Sequence, residues 1–506
     1  MRTPQGVSTA AFSTAVEGAE GQYTSSTVVS LFRFERHGHI APGEMFQDMV
    51  AGGSGTSVIG ALPLNGVVNK DGTVFVVCAD STVFTFNTSD NIIRGTLTGT
   101  TQVATVGSSN LVDIVTFRNA DGTEWIAWSW ETSATAQADI ARIRSDGAPT
   151  TKSTDWFSTL TGSAKLAKGV PHILHIGPDS ILYCTNGQYI ASHDPLTSSG
   201  STQAFNLGAG WTAVTLESYG NYLAIGARKT SAGVTAASET RLYLWDGYTP
   251  TPNFVYDLSD YNVTALKNHE GGLYIFTQGK NNQMRVKTIS GNGVVTIFER
   301  DIGNAPKAKS VESFKGMVIW GQDSGNYRIG ALLNLGDKAG YHEIMHPHIS
   351  TASLADLGLV KQLTSSFLYA GNKVGSTFSI WRINNDSYYP NADFRTRLFI
   401  LPYKSTLKRI GIYPSQFGSG ASLTTSIFES YDAISIGGST DLMAAHGLRT
   451  ITNATHGALN EISIPIDIPN ISSFYMNFRF DHASSTNTAA IIQRVEVDYE
   501  ASLNQD

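Results

Sequence analysis

What most constrains this chain is an internal repeat. From about residue 63 a short apolar run keeps returning, entered through a Gly, Asn or Asp turn and followed by a second, alternating run. Lys70-Asp71-Gly72 leads into Thr73–Cys78 and then Ser81–Phe86, and Asp121-Gly122 leads into Trp125–Trp130 and then Asp139–Arg144. The unit recurs at Ile181–Cys184, Tyr222–Ile225, Leu273–Phe276, Met317–Trp320 and Phe367–Ala370. Such spacing, roughly 40–60 residues, is that of four-stranded propeller blades. Gly and Asn suit the turns because they accept positive φ. The apolar runs are read as inner strands, covered on both faces by neighbouring blades, and the alternating runs as outer strands. No helical period of comparable length competes.

After Pro390 the rhythm changes. Longer alternating segments follow at Phe394–Leu401, Leu407–Tyr413, Leu423–Phe428, Glu461–Ile466, Phe474–Phe480 and Ala490–Asp498. This many strands in about 110 residues fits one sandwich, with the last strand locking the C-terminus into a sheet. The expected fold is therefore all-β, an N-terminal β-propeller of six or seven blades followed by a C-terminal β-sandwich. Residues 1–60 are read as an N-terminal arm that supplies a closing strand for the last blade, 61–395 as the propeller and 396–506 as the sandwich.

Composition narrows the function. Only 15% of the 506 residues are charged, while Gly is abundant at 49. That is well under the ~25% charged residues of an average soluble protein, and fits a surface buried against other subunits or, less well, an extracellular protein. The net charge is −7 with no basic run, which argues against general attraction to nucleic acid. The opening residues lack the apolar core of a secretory signal, and no stretch approaches the ~18 apolar residues of a membrane span. Cys78 and Cys184 sit in apolar strand-like runs and are read as buried free thiols.

Motif by motif, the chain offers no convincing chemistry. His342-Glu343-Ile344-Met345-His346 spells H-E-x-x-H, but a zinc site needs it on a helix. Gly336, Gly340 and Pro347 flank it, and it occupies an outer-strand position. On a strand its histidines stand roughly 13 Å apart, too far to share one ion. His346 and His348 share a strand face, a weak metal pair at most. Asn119–Trp125 is a truncated Asp-box, better explained as an Asp-Gly hairpin. Trp245-Asp246-Gly247 echoes a WD ending once, without a Gly-His partner. The Trp125, Trp128, Trp130 cluster is read as core rather than as a sugar platform. Carboxylates from distant blades could meet in the central channel, but the sequence does not place them. The basic, aromatic segment Leu31–His39 is either a docking arm or an edge strand. No catalytic residue, cofactor or metal ligand is assigned.

The degenerate blades, such as Gly271–Phe276, carry no catalytic or WD signature. The C-terminal strands open with Arg395-Thr396-Arg397-Leu398 and Leu407–Tyr413, and the composition is Gly/Ser/Thr-rich and charge-poor. In these respects the chain resembles tailed-bacteriophage virion proteins, most like the tail nozzle or hub proteins of short-tailed phages. The resemblance implies a structural, non-enzymatic protein of the virion tail, assembled in the host cytoplasm. It implies a homo-oligomeric ring, commonly a hexamer, that forms part of the DNA channel wall during ejection. Portal or adaptor proteins and fibres or spikes are its implied partners, DNA passes without sequence-specific binding, and no membrane is involved. The acidic balance suits a duct, since a basic lining would hold phosphate. The alternatives are a receptor- or carbohydrate-binding virion protein and, further off, a polysaccharide-degrading propeller enzyme.

Overall fold

A computed structural model describes residues 7–12, 32–34, 40–42, 44–48, 50–51, 59–87, 92–96, 112–132, 137–230, 237–279, 283–300, 305–322, 328–334, 339–345, 355–364, 367–374, 377–388, 391–396, 399–429, 441–444, 446–456, 459–481 and 490–501. The first strands are β1 (Val7–Phe12), β2 (Phe32–Phe34), β3 (Ile40–Pro42) and β4 (Glu44–Asp48). Seven small sheets then follow along the chain, all of them antiparallel apart from the pairing of Val50–Ala51 with Ile92–Ile93 in the first. Their first strands are Pro63–Val68, Ile114–Arg118, Leu174–Ile176, Trp211–Tyr219, Asn262–His269, Val311–Phe314 and Ala355–Gln362. These touch one another in that order, and the last touches the first. A closed ring of radially stacked sheets is a β-propeller, with one sheet per blade.

Side-chain burial follows from that ring. Strand Thr73–Cys78 lies second in blade 1. Its Phe75 and Val77 pack with Ile126, Trp128 and Ile143 of blade 2. Its Val74 and Val76 pack on the other side with Leu359, Tyr369 and Ile380 of blade 7. Because successive side chains point to opposite faces, a strand with blades on both sides must be apolar throughout. The apolar runs are thus the second strands of their blades, not the inner ones that the sequence pattern suggests. One further strand, with more polar residues, lies inside each of them. Two-residue turns with both residues at positive φ connect two of these pairs, at Glu270 (50°) and Gly271 (79°) and at Lys315 (50°) and Gly316 (77°). That is the turn whose twist matches a hairpin.

Besides blade 1, which has five strands, two blades are irregular. Blade 2 has three strands; the stretch before blade 3 bridges its outer strand at Arg142–Ser153 and Ala138–Leu166, and a short helix, Trp156–Leu160, packs there. In blade 7 the outermost strand is β4, paired with Thr377–Tyr388, so the N-terminal segment completes the last blade.

Six C-terminal strands and β1 to β3 form a nine-stranded sheet. Phe399–Gln416 runs between Ile462–Asp481 and Ile491–Ala501. The guanidinium of Arg409 fastens three chain segments, reaching Asp498 (2.6 Å), Glu461 (2.6 Å) and Glu496 (3.3 Å). β1 pairs with Ile491–Ala501, and the hairpin β2–β3 joins the same strand at Ile40–Ile492. Phe32–Phe34 of the basic aromatic segment is therefore an edge strand. Asn391–Arg395, which the sequence pattern assigns to the propeller, pairs instead with Asn477–Asp481. The ladder of blade 7 ends at Tyr388 and the next strand begins at Asn391, short of the boundary at 395. One apolar cluster runs from Ile319 and Leu368 of the propeller to Leu407, Ile464 and Phe478. Among the described residues no helix is long and apolar enough to cross a membrane.

Blade 7 meets blade 1 with no room to spare. A Cβ on Gly358 would lie 2.0 Å from the Pro63 carbonyl oxygen, and one on Gly371 2.8 Å from the Pro63 ring. Gly358→Ala must push the closing strands apart; we expect a loss of about 3 kcal/mol, the upper end for overpacking, read as a lowered urea midpoint.

Candidate functional site in the propeller channel

The ring brings together residues that are distant in sequence. His175, Glu217, Lys267, Glu312 and Lys361 lie on the innermost strands of five successive blades. Each sits opposite the corresponding residue of its neighbouring run: Tyr183, Ala224, Tyr274, Ile319 and Tyr369 respectively. They occupy one repeat position and so one level of the channel. Each also directly follows a buried aliphatic residue: Leu174, Leu216, Leu266, Val311 or Val360. Lys309 precedes the innermost strand of blade 6, and Asp113 that of blade 2.

Most of these groups hold one another. Lys267 Nζ donates to Glu312 Oε1, the Ser313 N–H donates to the same oxygen at 2.8 Å, and Lys361 Nζ lies 3.9 Å from Glu312 Oε2. Burial opposes ionisation of Glu312, but Lys361 and Lys267 outweigh it and hold the carboxyl below its ordinary range. Asp113 is wholly buried and ties three blades together. It accepts from Asn65 Nδ2 (2.6 Å), from its neighbour's Ile114 N–H (2.8 Å) and from the Leu174 N–H (2.9 Å). Lys309 Nζ stands 3.8 Å from its Oδ2. Burial raises the Asp113 carboxyl, and Lys309 and Asn65 moderate the rise. Burial also raises Glu217, which accepts the Ser218 N–H at 3.2 Å. His175 Nε2 lies 2.8 Å from Ser218 Oγ. Burial and the three nearby lysines push that imidazole well below its usual range, so it stays neutral.

Elsewhere the charges are structural. A cleft of ≈ 450 Å³ between blades 4 and 5 is lined by Arg241, Asp257, Asp260 and Arg285. Asp260 is saturated by Arg285 (2.7 Å), Lys287 (2.8 Å) and Thr277 (2.7 Å), while Arg241 pairs with Asp257 at 2.8 Å. His172 and His193 are core residues. His172 Nδ1 lies 3.2 Å from the Thr185 carbonyl, and His193 Nδ1 lies 3.0 Å from the Ser199 carbonyl, with its ring edge-on to Trp156.

The sequence motifs disperse. His342, Glu343 and Met345 lie extended on the outer strand of blade 6, paired with Ala331, Gly330 and Arg328. His346 and His348 lie outside the described residues, as does Pro347. Among the described residues no cluster of His, Cys, Asp and Glu could hold a metal ion. Asn119–Thr123 is a hairpin turn, with Gly122 at φ 78° and the Thr123 N–H on Asp121. Trp128 and Trp130 are buried, and the Trp125 face carries the Arg142 guanidinium at 4.0 Å. Asp246 caps its own turn through the Tyr248 and Thr249 N–H groups, and Trp245 is core. Cys78 and Cys184 are buried free thiols. The channel residues themselves went unnoticed in the sequence. Their signal is a polar or charged residue placed directly after a buried aliphatic residue in five of the seven repeats.

No family model and no curated protein sequence matches the chain. Among solved structures it is similar to the β-propeller domain of Myceliophteria thermophila Cps50 (Swd1), at 10% identity and a TM-score of 0.43, covering 67% of this chain and 100% of that one. It is similar also to U3-55K, at 10% identity and a TM-score of 0.43 over 67% of this chain and 99% of that one. The WD40 repeats of RRP9 align at 11% identity and a TM-score of 0.42 over 67% of this chain and 97% of that one. Likeness at this level is too coarse to argue from, and the propeller assignment rests on the closed ring of strand contacts.

Two expectations follow. Glu312→Gln leaves Lys267 and Lys361 without their counter-charge; we expect a loss of about 2 kcal/mol in denaturant unfolding, less than the ~3–5 kcal/mol of a fully buried pair because both ammonium groups are partly exposed. Burial depresses His172 and His193 to about 4 from an ordinary 6.5. The unfolded chain therefore binds more protons between those values, and stability falls as pH drops from 6.5 to 4, by about 3 kcal/mol for each histidine. A urea-midpoint series across that interval should show the slope, to which neutral His175 adds in the same direction, and His193→Gln should remove about a third of it.

Proposed function

We propose that the chain is a structural component of a tailed-phage virion, a tail nozzle or hub protein that forms a ring around the DNA path. The observation that supports this most is the course of the N-terminal segment. β1 to β3 are built into the C-terminal sheet, and β4 completes blade 7. One short stretch of chain thus staples both halves, and pulling them apart must break antiparallel ladders at each end. That construction suits a wall block which keeps its shape while DNA moves past. The C-terminal strands are best read as a β-sandwich. Ile462–Asp481 pairs with Phe399–Gln416 along its first part and with Ser422–Phe428 along its second, as a strand shared between two layers does.

The channel chemistry favours a frame over an active site. Asp113 and Glu312, two of its three carboxylates, are committed to lysines or to several N–H donors, which weighs against a paired-carboxylate hydrolase. DNA would run through the ring of subunits, not through the propeller, whose channel is crossed by Lys309 reaching toward Asp113. A hexamer, with portal or adaptor proteins and fibres or spikes as neighbours, follows the phage resemblance. Glycan or receptor binding is the second reading. It is favoured by Tyr248 and Phe254, which stand exposed on blade 4, 77% and 47% accessible.

Light scattering and electron microscopy of the purified protein test the proposal. A closed ring with a lumen wide enough for duplex DNA and without a strongly basic lining is expected. A protein that stays monomeric, or a ring with a strongly basic lumen, sinks it, and a positive glycan array would turn attention to blade 4.

A further inference from the structure

The channel has spare donors. Lys309 and Lys361 each approach one carboxylate among the described residues, at 3.8 and 3.9 Å, beyond hydrogen-bond reach. The carboxylate facing Lys309 already accepts from Asn65, Ile114 and Leu174. The one facing Lys361 already takes Lys267 and the Ser313 N–H. Both lysines are largely enclosed, at 17% and 28% exposure. Two ammonium groups thus stand in the channel with hydrogen-bonding capacity unspent among the described residues, although its three lysines are matched in formal charge by Asp113, Glu217 and Glu312. Burial, and then Lys267 and Lys309, lower the Lys361 ammonium despite the help of Glu312, the response of a cation short of close partners. Across the channel stand neutral His175 and its partner Ser218, further groups able to donate or accept.

We propose that the propeller channel binds a small oxyanion of the phosphate class, held by Lys309 and Lys361 with the His175–Ser218 pair beside it. A tetrahedral oxyanion accepts several converging N–H bonds at once, and charge-assisted bonds of this kind are strong in an enclosed site. The anion would sit beside the Lys309 ammonium, which reaches from blade 6 to within 3.8 Å of Asp113 of blade 2. The bound anion would act as a hub pin joining blades 6 and 7. The inference does not depend on where the chain sits in a particle.

Inorganic phosphate is the probe, added to the full-length protein and compared with sodium chloride at equal ionic strength. We expect a saturable rise in Tm with phosphate alone and one calorimetric site per chain. Lys309→Met with Lys361→Met should weaken phosphate by about tenfold or more, the scale of a lost charge-assisted bond. Glu312→Gln should tighten phosphate while lowering Tm in its absence, an opposition that a purely structural cluster does not produce. A Tm rise equal in chloride, or phosphate affinity unchanged in the lysine variants, overturns the proposal. Should the double variant fail to fold, Lys309→Gln alone reads the same change, and wild-type affinity there overturns the proposal equally.

Discussion

Everything in this molecule depends on closing a ring. Each blade has two large faces, and neither is buried until a neighbour stacks on it. Phe75 needs blade 2 and Val74 needs blade 7, so the apolar residues of one strand are satisfied only when the last blade has come back to the first. The join is made where Ala355–Gln362 meets Pro63–Val68, at a separation too short for any side chain at Gly358. Such contacts are far apart in sequence, so closure must meet the cost of a long loop before burial rewards it. The use of β4 as the outer strand of blade 7 makes that closure a matter of strand pairing as well as of packing.

Closure also creates an interior that no blade has by itself. At the centre of the ring the innermost strands come close enough for side chains from different blades to meet. Polar groups there cannot be left to water alone, and they are tied to one another: Asp113 to blades 1 and 3, Lys267 and Lys361 to Glu312. The same logic operates at the rim, where Asp260 gathers Thr277, Arg285 and Lys287. Charge in this protein is scarce and much of what is inward-facing is used as mortar between blades. The groups left over, above all Lys309 and Lys361, are where ligand chemistry has room.

Several features were legible residue by residue. The strand Leu273–Thr277 is buried along its whole length because its sequence is apolar on both faces. The turn at Lys315-Gly316 adopts positive φ at both positions, as its hairpin requires. His342–Met345 lies extended because Tyr341 and β-branched Ile344 favour a strand while Gly340 disfavours a helix, and the zinc-like spelling carries no helix with it. Other features were misplaced. The apolar runs looked like the strands nearest the axis, because burial on both faces was equated with the centre; in a propeller the second strand is the more deeply covered one. Asn391–Arg395 looked like the end of a blade, since its own residues do not reveal that Asn477–Asp481 is waiting to pair with it.

The sequence by itself determined the all-β character, the repeat, the position of most turns and the buried state of the cysteines. These are set by local spacing and by φ preferences, which act over a few residues. Tertiary structure alone decided which strand lines the axis, which segment completes blade 7, and that His175, Glu217, Lys267, Glu312 and Lys361 share one level of a channel. Taken singly, each of these is an ordinary polar residue at the end of a strand. Only a closed ring turns residues some tens of positions apart into neighbours, because their proximity is a property of blade packing and not of any one blade.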